Sequence, residues 1–275
     1  MKNLELIKCY MSRGNFWRAL KNPRIAIYTL MYGLSSPEYF CSLLNVAPAE
    51  FSKYIKEVRG NKYFTANVLN CLRNYEKQIK KRGLTAGAIS EAIGAILYAI
   101  IRCSRPQIVL ETGVANGLSS AYILLALEKN AVGRLYSIDL GAEDGKIYEN
   151  GYFTPTTGYA PVPNGKSSGW IIPEEIKHRW TFVSGRTSDM MPQVLDKIKE
   201  VDIFIHDSEH TYENMKWEYQ TVWPYLKRGG LLISHDIDMN KAFFELCKEV
   251  NDRHYIYAKT IGIIVKSSGQ EIARN

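Results

Sequence analysis

Residues 1–106 contain no aspartate and only 6 Glu against 17 Lys and Arg, a net charge of +11. Residues 107–275 hold 18 basic side chains against 22 acids, a net of −4, and the two parts sum to the +7 of the whole chain. A basic front and a mildly acidic rear point to two parts with different jobs. Cysteine is also scarce, with five scattered residues (Cys9, Cys41, Cys71, Cys103, Cys247) and no CxxC pair. That excludes a disulfide scaffold and a structural zinc site of cysteines, and it fits free thiols in a reducing compartment. Long apolar runs are missing too. The longest, Ala92 to Ile101, falls well short of the ~18 residues that span a bilayer. Met1 to Leu20 is amphipathic and broken by charges, unlike the apolar centre of a signal peptide, so a cytoplasmic location is expected. Apolar residues make up 46% and charged residues 23% of the 275, which excludes disordered and fibrous chains and allows one large domain or two small ones.

What is present changes character near Pro106. Before it the pattern is helical, and the breakers fall between helices. Ser35-Ser36-Pro37-Glu38 has a capping-box spacing, Ala47-Pro48-Ala49-Glu50 opens a helix to Arg59, Thr65 to Arg82 forms another, and Thr85 to Cys103 forms a nearly all-apolar one. After it, short apolar runs at 107–112, 135–139, 180–184, 201–207, 230–234, 254–258 and 261–266 read as strands with helices between most of them. The last two are separated only by Lys259-Thr260, which makes them a hairpin. The expected fold is α/β: a doubly wound, mostly parallel seven-stranded sheet with an antiparallel edge hairpin, preceded by an N-terminal helical region. The expected division is a basic helical cap or accessory region over 1–90 and a Rossmann-like domain over 91–275. A long insertion at about 141–179 interrupts that domain. Its first part is rich in glycine, proline and aromatics without hydrophobic period, so it is expected to act as a lid, with Tyr152, Tyr159 and Trp170 closing over a ligand.

Two motifs carry chemistry. Glu111-Thr-Gly113-Val-Ala115-Asn116-Gly117 joins a strand to a helix, the turn where ligands lie in doubly wound sheets. The spacing is GxxxG, so it carries neither the dinucleotide fingerprint nor the phosphate-loop lysine. Asp139 ends the next strand, where a carboxylate can accept the two hydroxyls of a ribose. Together these residues resemble the cofactor motif of class I S-adenosylmethionine-dependent methyltransferases. The resemblance implies that the loop (Gly113, Ala115, Asn116, Gly117) lies under the methionine end of S-adenosylmethionine. It further implies that Glu111 reaches its amino group and Asp139 its ribose, and that Asp207 borders the cofactor. Ala115 departs from a glycine common in the family. Trp180 to Ser188 resembles the strand and loop flanking the adenine, with Gly185 at the turn.

The second motif is split between two strand ends, His206-Asp207-Ser208-Glu209-His210-Thr211-Tyr212 and Ser234-His235-Asp236. Neighbouring parallel strands lie about 5 Å apart, so Asp207, His210, His235 and Asp236 converge beside the glycine loop as the expected catalytic group. The pair is similar to the branch grouped with sugar and macrolide O-methyltransferases, over about residues 107–266. Two mechanisms fit. Either His210 or His235 removes the proton of an acceptor hydroxyl, or Asp207, Asp236 and His235 hold a divalent cation that acidifies it. Related families use Mg²⁺ with carboxylates at these strand ends, whereas imidazole shifts preference toward Zn²⁺ or Mn²⁺. The expected reaction is methyl transfer from S-adenosylmethionine to a hydroxyl of a small molecule, a sugar or natural product, with the basic front favouring an anionic acceptor. A methyltransferase for RNA or another polyanion and a non-catalytic S-adenosylmethionine-binding scaffold are the alternatives. No nucleic-acid module is recognisable in 1–106 and the longest basic run is Lys80-Lys81-Arg82. The apolar Ala86 to Ile101 stretch suits a homo-oligomer interface as well as a core.

Overall fold

The computed structural model describes residues 41–42, 44–81, 83–141 and 160–267. The capping box at 35–38, Cys9, Tyr152 and Tyr159 lie outside them.

Helix α1, Pro48–Arg59, has proline in its first turn and stops at Gly60. Helix α2, Lys62–Phe64, is capped by Asn61, whose side chain accepts from the Phe64 N–H at 3.0 Å. It leads through a π-helical turn, Thr65–Leu69, into α3, Asn70–Lys80. The cap at Asn61 is why this helical stretch begins before the expected Thr65. Helix α4, Glu91–Ser104, starts later than the expected Thr85, because Ser90 accepts from the Ile93 N–H and fixes the first turn there. Residues 84–90 are left without regular structure, and this frees them to line a cleft.

From Pro106 strand and helix alternate: β1 Ile108–Thr112, α5 Leu118–Asn130, β2 Arg134–Asp139, β3 Trp180–Ser184, α6 Thr187–Ile198, β4 Val201–His206, α7 Tyr212–Val222, β5 Leu226–Ser234, α8 Ala242–Val250, β6 Arg253–Tyr257 and β7 Ile261–Val265. They form one seven-stranded sheet ordered β3-β2-β1-β4-β5-β7-β6. The first five strands in that order run parallel, and β7 pairs antiparallel with both β5 and β6. This is the expected doubly wound sheet with its antiparallel edge. The winding reverses between β1 and β4, so a crevice opens at their carboxyl ends.

Side chains alternate across the sheet. Val109, Ile203, Ile205 and Ile233 face one core with Leu97, Ile123, Leu72 and Phe51, while Leu110, Phe204 and Leu232 face the other with Met215, Tyr219 and Phe243. The N-terminal helices therefore share a continuous core with α4, α5 and one face of the sheet. Among the described residues, no helix is long and apolar enough to cross a membrane.

Candidate active site

The crevice at the switch point is a cleft of about 250 Å³, lined by Gly87 to Ile89, the loop Gly113 to Ser119, Asp139, Ala160, Asp207, Ser208, His210, His235, Asp236 and Met239. Both sequence motifs meet in it. The glycine loop leaves β1 through three left-handed residues, Gly113 (φ 84), Ala115 (φ 48) and Gly117 (φ 95). A side chain at Gly117 would lie 2.7 Å from the Cα of Gly169, so the end of the insertion packs directly on the loop. The Gly169 N–H donates to the Ala115 carbonyl at 2.9 Å, and the Trp170 indole donates to Asn116 Oδ1 at 2.6 Å. Asn116 in turn donates at 3.0 Å to the carbonyls of Ala86 and Pro161. One buried amide thus ties three walls of the cleft together. Trp170, expected to belong to a closing lid, is a support of the loop.

The acids of the loop have tasks that spacing alone did not show. Asp139 accepts from the Val114 and Ala115 N–H groups at 2.7 and 3.0 Å, and from the Gly141 N–H and Ser168 hydroxyl at 2.8 and 3.0 Å. It lines the cleft, but its oxygens fasten the glycine loop to the insertion. Glu111 does not line the cleft. It is fully buried beneath the loop and accepts from the hydroxyls of Ser119, Ser120 and Ser137 at 2.6, 2.6 and 2.8 Å. Burial pushes its carboxyl up to about 7 against the pull of those three donors. Gly185 also stands off the cleft, with its N–H donating to the Asp139 carbonyl and Met190 covering its Cα.

The four residues of the second motif do come together. His235 Nδ1 lies 3.0 Å from Asp207 Oδ1 and 3.4 Å from Asp236 Oδ2, and His210 Nε2 lies 3.6 and 3.8 Å from the same two oxygens. Asp236 follows β5 in a left-handed conformation (φ 49), the kind of backbone that persists where surrounding structure holds it. Burial alone would raise the Asp207 carboxyl, but the neighbouring imidazoles outweigh it and hold the group well below its ordinary value. Burial opposes a charge on His235, yet Asp207 and Asp236 push its pKa up to about 10.

Beneath this group lies a layer the motifs did not reveal. Glu218 on α7 is fully buried, 2.7 Å from His206 Nδ1, and accepts from the hydroxyls of Thr112 and Ser208 at 2.6 Å and from the Asn214 amide at 3.1 Å. Burial would raise this carboxyl too, but His206 outweighs it and keeps it below its ordinary value. Glu218 therefore clamps the turn that carries Asp207 and His210. Its signal was present in the sequence, since Asn214 and Glu218 stand four apart on the helix flank that also carries the buried Met215, Tyr219 and Val222.

Residues 110–237 match the family model described as Methyltransferase domain. Over those residues, a little under half of its length, the chain is similar to that family. No curated protein sequence matches the chain. Solved structures similar to it include the O-methyltransferase TomG of Streptomyces achromogenes, involved in tomaymycin synthesis and in complex with SAM. It is 15% identical, with 72% of this chain and 89% of that one covered and a TM-score of 0.50. A candidate caffeoyl-CoA O-methyltransferase of Staphylococcus aureus is 14% identical, with 72% and 91% covered and a TM-score of 0.51. A candidate O-methyltransferase of Klebsiella pneumoniae is 13% identical, with 72% and 90% covered and a TM-score of 0.50. At these identities the likeness is one of fold. The matched stretch spans the loop at Gly113, Asp139 and all four residues of the Asp/His group.

The donor chemistry of that group also bears on a cation. Mg²⁺ favours an octahedral shell of oxygens, whereas two of the four side chains here present ring nitrogens. Asp207 and Asp236 offer the one or two carboxylates by which Mg²⁺ is held together with water, and the two imidazoles shift preference toward Zn²⁺ or Mn²⁺.

Proposed function

We propose that the chain transfers the methyl group of S-adenosylmethionine to a hydroxyl of a small molecule. The observation that carries this reading is one cleft walled on one side by the glycine loop and on the other by Asp207, His210, His235 and Asp236. Bound against the loop, the cofactor supplies an electrophilic methyl on a sulfonium. The chain's own part is to hold an acceptor oxygen in line with that methyl and to accept the charge of its departing proton. Alignment of two bound reactants is a large part of such a rate. The Asp/His group sits where the proton leaves, either through a free imidazole or through an ion held by the same side chains.

On this reading the acceptor side is formed by Gly87 to Ile89, Ala160 and Met239, with Met239 exposed at 41%. These apolar contacts beside a polar cluster suit a hydroxylated metabolite of mixed character, a sugar or natural product. The positive charge in excess over residues 1–90, the stretch that ends in the 87–89 wall, favours an acceptor carrying an anionic group. The O-methyltransferase descriptions of the three structural neighbours support oxygen as the acceptor atom.

The test is calorimetric titration of the folded chain with S-adenosylmethionine, then a hydroxylated-metabolite panel read by mass spectrometry for products heavier by one methylene. Binding at one site and a methylated hydroxyl support the reading. A natively folded chain that binds no S-adenosylmethionine refutes it.

A further inference from the structure

We infer that Ser168 sets how strongly the cleft holds an adenosyl group, by occupying on Asp139 the place that a ribose hydroxyl takes. This rests on the proposed reading of the cleft and concerns how its cofactor is admitted and released.

An ionised carboxylate offers about four acceptor sites on its two oxygens. On Asp139 the chain itself fills them all. Oδ2 accepts from the Val114 and Ala115 N–H groups, and Oδ1 accepts from the Gly141 N–H and the Ser168 hydroxyl. Yet Asp139 is only half-buried and lines the cleft at the end of β2, where an acid of a doubly wound sheet receives a ribose hydroxyl. A ribose can bond to it only if one of the four donors gives way.

Three of the donors are fixed in the backbone. Val114 and Ala115 belong to a loop pinned at both ends: the Gly113 N–H donates to the Ile138 carbonyl at 2.9 Å, and the Gly117 N–H to the Val114 carbonyl at 2.7 Å. Gly141 follows Asp139 closely in the chain and packs on Ser184, whose Oγ would lie 2.7 Å from a side chain there. The fourth donor is a side chain. Rotation about one bond takes the Ser168 hydroxyl off Oδ1, while the backbone beside it stays held by the Gly169 N–H on the Ala115 carbonyl. Ser168 is only 5% exposed, so an entering ribose hydroxyl exchanges one sheltered hydrogen bond for another of the same kind. With Ser168 in place that hydroxyl adds little to binding. Without it, the vacated site on a charged oxygen makes the same hydroxyl worth roughly a factor of 10 or more. The chain's own hydroxyl therefore weakens the hold on the cofactor and on its demethylated product alike, and a weaker hold speeds product release.

The experiment titrates the full chain, wild type and Ser168→Ala, with S-adenosylhomocysteine and with its 2′-deoxy and 3′-deoxy analogues, read by calorimetry. Ser168→Ala should bind S-adenosylhomocysteine roughly 10-fold more tightly than wild type. That gain should vanish for one of the two analogues, the one lacking the hydroxyl that reaches Oδ1. A merely structural serine would change all three affinities together. The wild type gives a second reading that needs no substitution: at least one analogue should bind within about 3-fold of S-adenosylhomocysteine, because Ser168 keeps the carboxylate satisfied. The inference is overturned if Ser168→Ala, natively folded by circular dichroism, binds S-adenosylhomocysteine no more tightly than wild type, or if both analogues keep the full gain. It is also overturned if each analogue loses roughly 10-fold or more in the wild type. These results leave the proposed function standing, since the wild type still binds. A folded wild type and variant that both bind no S-adenosylhomocysteine overturn the inference and the proposed function together.

Discussion

Gly113 and Asp207 touch through their backbones: a β-carbon placed on Gly113 would lie 2.0 Å from the Asp207 carbonyl oxygen and 2.9 Å from the Ser208 nitrogen. The first residue of the glycine loop is thus laid flat on the first residue of the Asp/His cluster. The Asp207 N–H also donates to the Thr112 carbonyl at 2.9 Å. The ends of β1 and β4 are joined at this point, where only glycine fits.

Replacing Gly113 by alanine should therefore be severe. The left-handed φ of 84 and the backbone collision add up to a cost of roughly 3 kcal/mol or more. The expected outcome is a large fall in Tm together with loss of S-adenosylmethionine binding. A Gly113→Ala chain of wild-type Tm would show that the two loops are not packed as described.

Ala115 offers the opposite case. It holds a left-handed φ of 48, a conformation that costs an L-residue roughly 1–2 kcal/mol. Ala115→Gly should raise stability by up to about 1 kcal/mol, the gain being reduced by the greater freedom of glycine in the unfolded chain. Denaturant unfolding measures it, and a clear loss of stability would contradict the strain.

Glu111 makes stability depend on pH. Its folded value of about 7 stands above the ordinary 4.5, so the folded chain keeps a proton that the unfolded chain releases between those values. The contribution is full below about pH 4.5 and is lost as pH rises through 7, a change of about 3 kcal/mol. Glu111→Gln has no such proton. The stability of the wild type relative to Glu111→Gln should fall as pH is raised from 4.5 to 7.5, and a constant difference would contradict the raised value.

Glu218→Ala should cost roughly 3–5 kcal/mol, because it takes the common acceptor away from a fully buried imidazole and three further polar side chains. His206, Thr112, Ser208 and Asn214 all lose their acceptor at once. Chemical denaturation reads the loss, and Glu218→Gln should recover part of it. A loss below 1 kcal/mol would mean that the clamp is not formed.

Much of this fold was legible because its signals are local and periodic. The seven strands, the antiparallel hairpin around Lys259-Thr260 and the glycine turn all follow from short patterns. Helix starts were read less well, since Asn61 and Ser90 decide them through single side-chain caps. The site divides in the same way. Asp207, His210, His235 and Asp236 converge because adjacent strand ends do, and adjacency followed from strand order. Glu111 and Asp139 were placed correctly along the chain, but their hydrogen bonds depend on serines and backbone N–H groups drawn from several separate segments. No spacing rule carries that. The contributions of Asn116 and Glu218 are of the same non-local kind.

The central claim is that the cleft lined by the glycine loop and the Asp/His group binds S-adenosylmethionine for transfer of its methyl group. Calorimetric titration of the natively folded chain with S-adenosylmethionine tests it most directly. The expected result is saturable binding of one molecule per chain, lost in Gly113→Ala and retained in His210→Gln. No heat of binding from a chain whose circular dichroism and thermal transition are native would contradict it.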